Sequence, residues 1–333
     1  MEAWAKDGKR VAVKTCANSL DYDANCQLGG VAASSNALWY VVHERTKGST
    51  LYRAALDGDA PVAMQHVSVE ESYQALAVSR DDRTVWFTHT FPGDSPARLE
   101  RLRDGVVSTV EGSQGVVSVA ASPDGRRLAF SVLAFGSSTS ATAISSPTSA
   151  SHVVIVDISS GSARTIDVGT QQSVPFAIEN LSWSPDNRHL LFARSYEGRS
   201  MHVLDADGAV SATDPARPMA GITVETDRGP IDVQQACWAS AKTLALGTWY
   251  WPYGEGSLEG GDIVRYDVGS GTTASVGVKV FGQGYDGGGM ACRDDGAVAV
   301  VDSTKVEPAD LKVIRANGTI TRLGRNYLSV AQV

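Results

Sequence analysis

The chain has 333 residues, 43% of them hydrophobic, and its 37 acidic side chains outnumber 29 basic ones for a net charge of −8. With no basic cluster longer than Gly125-Arg126-Arg127 or Arg101-Leu102-Arg103, that balance excludes a nucleic-acid footprint and attraction to anionic membrane. No run of about 18 apolar residues exists, and Met1-Glu2-Ala3-Trp4 lacks a basic stretch followed by an apolar one, so neither a transmembrane helix nor a signal peptide is read here.

In chain order, the first element is a strand, tight turn and strand over Trp4-Ala5-Lys6-Asp7-Gly8-Lys9-Arg10-Val11-Ala12-Val13. It begins so soon after Met1 that a targeting or anchor segment is expected to have preceded it. Cys16 and Cys26 then flank a loop containing Asp21-Tyr22-Asp23-Ala24-Asn25, whose alternating oxygens resemble the opening of a calcium loop. Cys26 stands where such a loop needs glycine and Ala32 where it needs glutamate, so a polar loop pinned by a Cys16–Cys26 disulfide is read instead, with no metal. A second strand–turn–strand pair follows around Ser34-Ser35-Asn36, and a hairpin around Asp57-Gly58.

The same alternation returns along the chain. Inner pairs are predicted around Ser79-Arg80-Asp81-Asp82, Ser122-Pro123-Asp124-Gly125, Ser184-Pro185-Asp186-Asn187, Ala239-Ser240-Ala241 and Arg293-Asp294-Asp295-Gly296. Outer hairpins are predicted around Asp104-Gly105, Ser160-Gly161, Asp207-Gly208, Ser270-Gly271 and Asn317-Gly318. Seven inner pairs against six outer hairpins match a ring closed by both chain ends, with Trp4 to Ala17 sharing a blade with Tyr327 to Val333. The expectation is therefore an all-β propeller of four-stranded antiparallel blades, one domain over 1–333 and monomeric. Seven blades are expected; six plus an accessory N-terminal hairpin is the alternative, because the step from Asp7 to Asn36 is short for a four-stranded unit.

The Trp-Ser-Pro-Asp-Asn turn at Trp183 to Asn187, its apolar strand and the following Asp207-Gly208 hairpin resemble the TolB-like, WD40-like (PD40) propeller repeats. The resemblance covers nearly the whole chain and departs at Ser34-Ser35-Asn36 and Ala239-Ser240-Ala241, where the acidic turn residue is missing. It implies an extracytoplasmic binding or scaffold module, with some relatives attached to peptidases, while the excess of arginine over lysine points to a GC-rich bacterial source. Asp7, Asp81, Asp124, Asp186 and Asp295 are expected to cap turns by accepting backbone hydrogen bonds.

No Gly-x-Ser-x-Gly elbow occurs, and His43, His66, His89, His152, His189 and His202 show no metal-ligand spacing, so no cofactor is expected. Cys237 and Cys292 hold nearly matching places in consecutive repeats; the four cysteines are either buried thiols or two disulfides, and the oxidised reading implies an extracytoplasmic home. Long connections at Cys16 to Cys26, Gly136 to Ser151, Thr213 to Gln235, Trp249 to Gly261 and Val280 to Gly289 all fall at one end of the blades. Trp249, Trp251 and Tyr253, with Glu255 behind them, form the candidate ligand surface there; Tyr22, Asp23, Tyr196, Arg199, Tyr285 and Asp286 sit at comparable positions. A protein, peptide or glycan partner is expected. The alternative is an enzyme, a lyase or hydrolase working at the mouth of the central channel, which convergence of His43, His89, Glu44 or Asp286 would favour.

Overall fold

The computed structural model describes residues 3–4, 10–11, 26–57, 59–93, 95–134, 150–168, 177–195, 199–207, 222–226, 229–233, 235–248, 261–280, 290–293, 295–302 and 309–327. All regular structure among them is β-strand. Contacts divide the chain after Ile178 into two units.

In the first unit, β1 (Ala3–Trp4) and β2 (Arg10–Val11) pair with each other as a sheet of their own. Three four-stranded antiparallel sheets follow in sequential order. The first holds β3 (Cys26–Ala33), β4 (Ala37–Glu44), β5 (Gly48–Ala55) and β6 (Val62–Val67). The second holds β7 (Ser72–Val78), β8 (Thr84–Thr90), β9 (Arg98–Arg103) and β10 (Val106–Thr109). The third holds β11 (Val116–Ala121), β12 (Arg127–Ala134), β13 (Ala150–Asp157) and β14 (Ala163–Asp167).

The second unit contains the three-stranded sheet β15 (Ala177–Trp183), β16 (His189–Ser195) and β17 (Arg199–Asp205), whose first two residues belong to the preceding unit. A hairpin of β18 (Thr223–Thr226) and β19 (Gly229–Asp232) comes next. Two four-stranded sheets complete it: β20 (Gln235–Trp238), β21 (Thr243–Gly247), β22 (Gly261–Asp267) and β23 (Thr273–Val280); then β24 (Met290–Cys292), β25 (Val298–Asp302), β26 (Ala309–Ile314) and β27 (Ile320–Tyr327).

Every predicted inner pair is present, as are the outer hairpins whose two strands are described; Gly58, Gly208, Asp294 and the closing segment 328–333 lie outside the described residues. Within the stretch from Thr213 to Gln235, which the sequence reads as an irregular loop, the β18–β19 hairpin is a correction. Its flanking Ile222 and Val233, with Val224, carry apolar side chains that pack against Leu191, Met201 and Trp238, and this burial orders it.

Within each unit the strands bury both faces where neighbouring sheets pack together. In the first unit, Trp39, Val41 and Leu51 meet Tyr73, Val85 and Phe87. Trp86 and Leu99, on the opposite face of that second sheet, meet Val119, Leu128 and Phe130 of the third. The period-2 alternation of a strand thus sends Trp86 one way and Phe87 the other. Phe87 is fully buried, and truncating such a ring to alanine costs about 3–5 kcal/mol.

The inner turns share one geometry. Ser79, Ser122 and Ser184 each donate their hydroxyl to the carboxylate two residues on, at 2.6 Å, while accepting the backbone N–H five residues on. The carboxylates of Asp81, Asp124, Asp186 and Asp295 in turn accept backbone N–H groups, the role expected of them; Asp7 lies outside the described residues. The next residue is left-handed in every case: Asp82 (φ 62), Gly125 (φ 71), Asn187 (φ 64) and Gly296 (φ 76). Where the acid is absent, serine substitutes. Ser34 accepts the N–H groups of Asn36 and Ala37, and Ser240 those of Lys242 and Thr243.

Candidate functional site

The two ends of the sheets differ. Connections within the inner pairs and the outer hairpins are short, the longest running only from Ala55 to Val62. At the other end the chain leaves β12 at Ala134 and returns at Ala150, leaves β21 at Gly247 and returns at Gly261, and leaves β23 at Val280 and returns at Met290, whereas the excursion from Asp205 to Thr223 leaves from the short-turn end, where Asp205 pairs with His189.

Trp249, Trp251, Tyr253, Glu255, Tyr22, Asp23, Tyr196, Tyr285 and Asp286 all lie outside the described residues. Arg199, expected in a loop, instead opens β17 opposite Ser195. It is drawn into the strand because the short return from Ser195 lets pairing continue to the end of β16. Cys237 and Cys292 are joined, with Cα atoms 5.5 Å apart, and link β20 to β24 inside an apolar cluster with Met290 and Val300. Cys26 opens β3, and Cys16 and any bond between the two cysteines lie outside the described residues.

At the long-connection end of the first two sheets a polar network spans the space between them. His43 lies on the face of β4 that carries Trp39 and Val41; His89 lies on the face of β8 that carries Val85 and Phe87, and those two faces pack together. His43 Nδ1 is 2.6 Å from the Ser49 hydroxyl, which reaches the carbonyl of Glu71 at 3.4 Å. The Glu71 carboxylate stands 3.3 Å from His89 Nε2, and the Glu100 carboxylate stands 3.0 Å from His89 Nδ1 without hydrogen-bond alignment. Of the three, His89 is nearly enclosed at 9% side-chain exposure, Glu100 at 13%, and Glu71 is the open member at 30%.

Aromatic rings wall this network. Phe91 lies tilted against His89 at 4.1 Å between centroids, with the Arg98 guanidinium 5.2 Å from the Phe91 centroid, and Tyr73 meets His89 edge-on at 5.1 Å. Burial pushes the Tyr73 phenol up to about 12, with the charges of Glu100 and then Glu71 adding to it. Burial also holds the His43 imidazole below its ordinary value, so it is neutral at neutral pH.

Two glycines make room for this. A Cβ on Gly29 would fall 2.6 Å from His43 Nε2, and one on Gly30 only 2.2 Å from the Gln74 carbonyl, at a bulge where β3 approaches β7.

An imidazole held between two carboxylates is oriented and kept supplied with proton acceptors, and the more open carboxylate is placed to exchange a proton with a bound group. Among the described residues no three His, Cys, Asp or Glu side chains gather as a metal site. His43 and His89 are linked through Ser49 and Glu71, while Glu44 turns to Lys47, at 2.9 Å. Sequence reasoning missed Ser49, Glu71, Tyr73 and Glu100. Strand phase was the available signal, since His43 shares the parity of Trp39 and His89 that of Phe87.

No family model and no curated protein sequence matches the chain. Solved structures do. TolB from Acinetobacter baumannii superposes with a TM-score of 0.52 at 14% identity, covering 89% of this chain and 65% of that one. An oligogalacturonate lyase in complex with manganese gives 0.59 at 13% identity over 90% and 78% of the two chains. A prolyl endopeptidase gives 0.59 at 12% identity, over 90% of this chain and 43% of that one. The chain thus spans less than two thirds of the length of TolB and under half of the peptidase. At such identities the likeness shows the fold alone: an all-β propeller of four-stranded antiparallel blades.

Proposed function

We propose that this chain is an extracytoplasmic binding and scaffold module of the TolB-like family, one propeller domain that presents its long-connection face to a protein, peptide or glycan. The observation that carries this reading is the asymmetry of the sheets. One end carries short turns built on Ser–Asp or serine hydrogen bonds, while the other holds the excursions from Ala134 to Ala150 and from Gly247 to Gly261, the latter including Trp251 and Tyr253. The Cys237–Cys292 bond supports an oxidising compartment, and the likeness to TolB is consistent with the family.

The test is a panel of immobilised glycans and extended peptides probed with the native chain and with a variant in which 250–259 is replaced by a glycine–serine linker. A ligand retained by the native chain and lost by a variant of unchanged thermal midpoint supports the reading. Equal retention by both overturns it.

A second reading, an enzyme, draws on the network around His89. Here Glu71 would exchange the proton, His89 orient it and Glu100 hold the imidazole. Because an oligogalacturonate lyase is among the similar structures, oligogalacturonate is the first substrate to try. Formation of unsaturated product by the native chain, lost in His89→Gln, supports this reading; no product with oligogalacturonides counts against it.

A further inference from the structure

The outer strand of the second sheet is unguarded. Sheet edges offer unpaired N–H and C=O groups, and proteins protect them with charges, prolines or bulges. Among the outer strands of the four-stranded sheets, β14 carries Arg164 and Asp167, β27 carries Arg322 and Arg325, and β23 carries Lys279. The pairing of β6 with its neighbour is broken by a bulge between Leu51 and Tyr52. Strand β10, Val-Val-Ser-Thr, has no charge, no proline and an unbroken register with β9. It lies at the end of the strand order and exposes Val106 at 67% and Val107 at 38%.

Its hydrogen-bonding phase follows from the turn. Asp104 (φ 51) and Gly105 (φ 79) are both left-handed, the type I′ arrangement, in which the flanking residues Arg103 and Val106 form the closing bonded pair. Alternation then turns the N–H and C=O of Val106 and Ser108 inward, and Val110 N donates to Leu99 O in the same phase at 2.8 Å. The backbone groups of Val107 and Thr109 face outward.

Charge selects the occupant. Arg101 is exposed directly opposite Ser108, on the face shared with Val106, while Asp104 and Glu111 stand beyond the two ends of the strand. We propose that β10 accepts an added strand from a partner protein: an extended, mostly apolar segment with one central carboxylate that reaches Arg101. The two strand spacings between Arg101 and the added strand, about 9.5 Å, are within the joint reach of arginine and glutamate side chains. Main-chain bonds to Val107 and Thr109 give affinity, and the carboxylate gives register. This surface is separate from the long-connection face, so its failure leaves the proposed function standing.

The probe is a capped peptide of alternating threonine and valine around a single glutamate, with lysine at each end, against a control with central lysine. The expected result is slowed amide exchange at Val107 and Thr109 on adding the glutamate peptide. Val107→Pro removes an outward N–H that the fold does not use, and weakens binding about tenfold or more at an unchanged thermal midpoint. Arg101→Glu inverts the preference between the two peptides. The proposal is overturned if millimolar peptide leaves both amides unprotected, if Arg101→Glu still prefers glutamate, or if the folded Val107→Pro chain binds as tightly as the native one.

Discussion

Replacing Asp82 with alanine removes one carboxylate and leaves several donors without an acceptor. Oδ1 takes the Ser34 hydroxyl at 2.9 Å and the Trp39 indole N–H at 2.6 Å; Oδ2 takes both Nε, at 2.8 Å, and Nη2 of Arg53. All three partners belong to the first sheet and Asp82 to the second, so the carboxylate ties two sheets together. It is 7% exposed, while Arg53 is 32% exposed and regains some water when abandoned. Breaking a buried pair by removing one partner costs about 3–5 kcal/mol, and the partial exposure of Arg53 places Asp82→Ala near the lower figure.

Backbone strain separates two variants at this site. Alanine at φ 62 adds about 1 kcal/mol that glycine does not, so Asp82→Gly should cost about 2 kcal/mol and Asp82→Ala about 3–4. Urea unfolding of the two variants and of Arg53→Ala in each background reads the costs and their coupling. A loss below about 1 kcal/mol for Asp82→Ala, or additive effects of Asp82→Ala and Arg53→Ala, would refute the reasoning.

Other consequences are as direct. Gly30→Ala drives a Cβ to 2.2 Å from the Gln74 carbonyl, so the β3–β7 approach must open at a cost of about 1–3 kcal/mol, read as a lowered urea midpoint. Asp157 is held down to about 2 by the Ser159 hydroxyl and then the Ser160 N–H and hydroxyl; its contribution is complete above pH 3.8 and disappears as pH falls through about 2. Carboxyl NMR titration should give that low midpoint and move it up in Ser159→Ala; an ordinary midpoint in the native chain contradicts the turn geometry. On natively produced protein, Cys237 and Cys292 should resist alkylation until reduced, and reduction should cost about 2–4 kcal/mol of stability; labelling of both without reduction removes the support for an oxidising compartment.

The blades were legible because a strand pair announces itself twice, through period-2 apolar residues and through a turn needing particular chemistry. Asp82, Gly125, Asn187 and Gly296 mark the same left-handed position, and each is a residue type that tolerates it. Even Ser34 and Ser240 sit where order and spacing placed a turn, although only the structure shows a serine hydroxyl replacing the carboxylate. The network around His89 was less legible. Its members come from β4, β5, β7, β8, β9 and the connection before β7, and no local spacing links Ser49 to Glu71 or Glu71 to Glu100. Only the packing of one sheet face on another joins them. The β18–β19 hairpin escaped notice because its strands are short and lack an alternating pattern, so its order comes from burial against Met201 and Trp238.

The central claim, that the chain binds rather than transforms its partner, is tested most directly by the mass of a ligand recovered after prolonged incubation with excess native protein. The account predicts that a ligand dependent on 250–259 returns unchanged in mass and in full amount. Recovery of a cleaved or unsaturated product, abolished by His89→Gln, would contradict it and assign the chain to catalysis at Glu71.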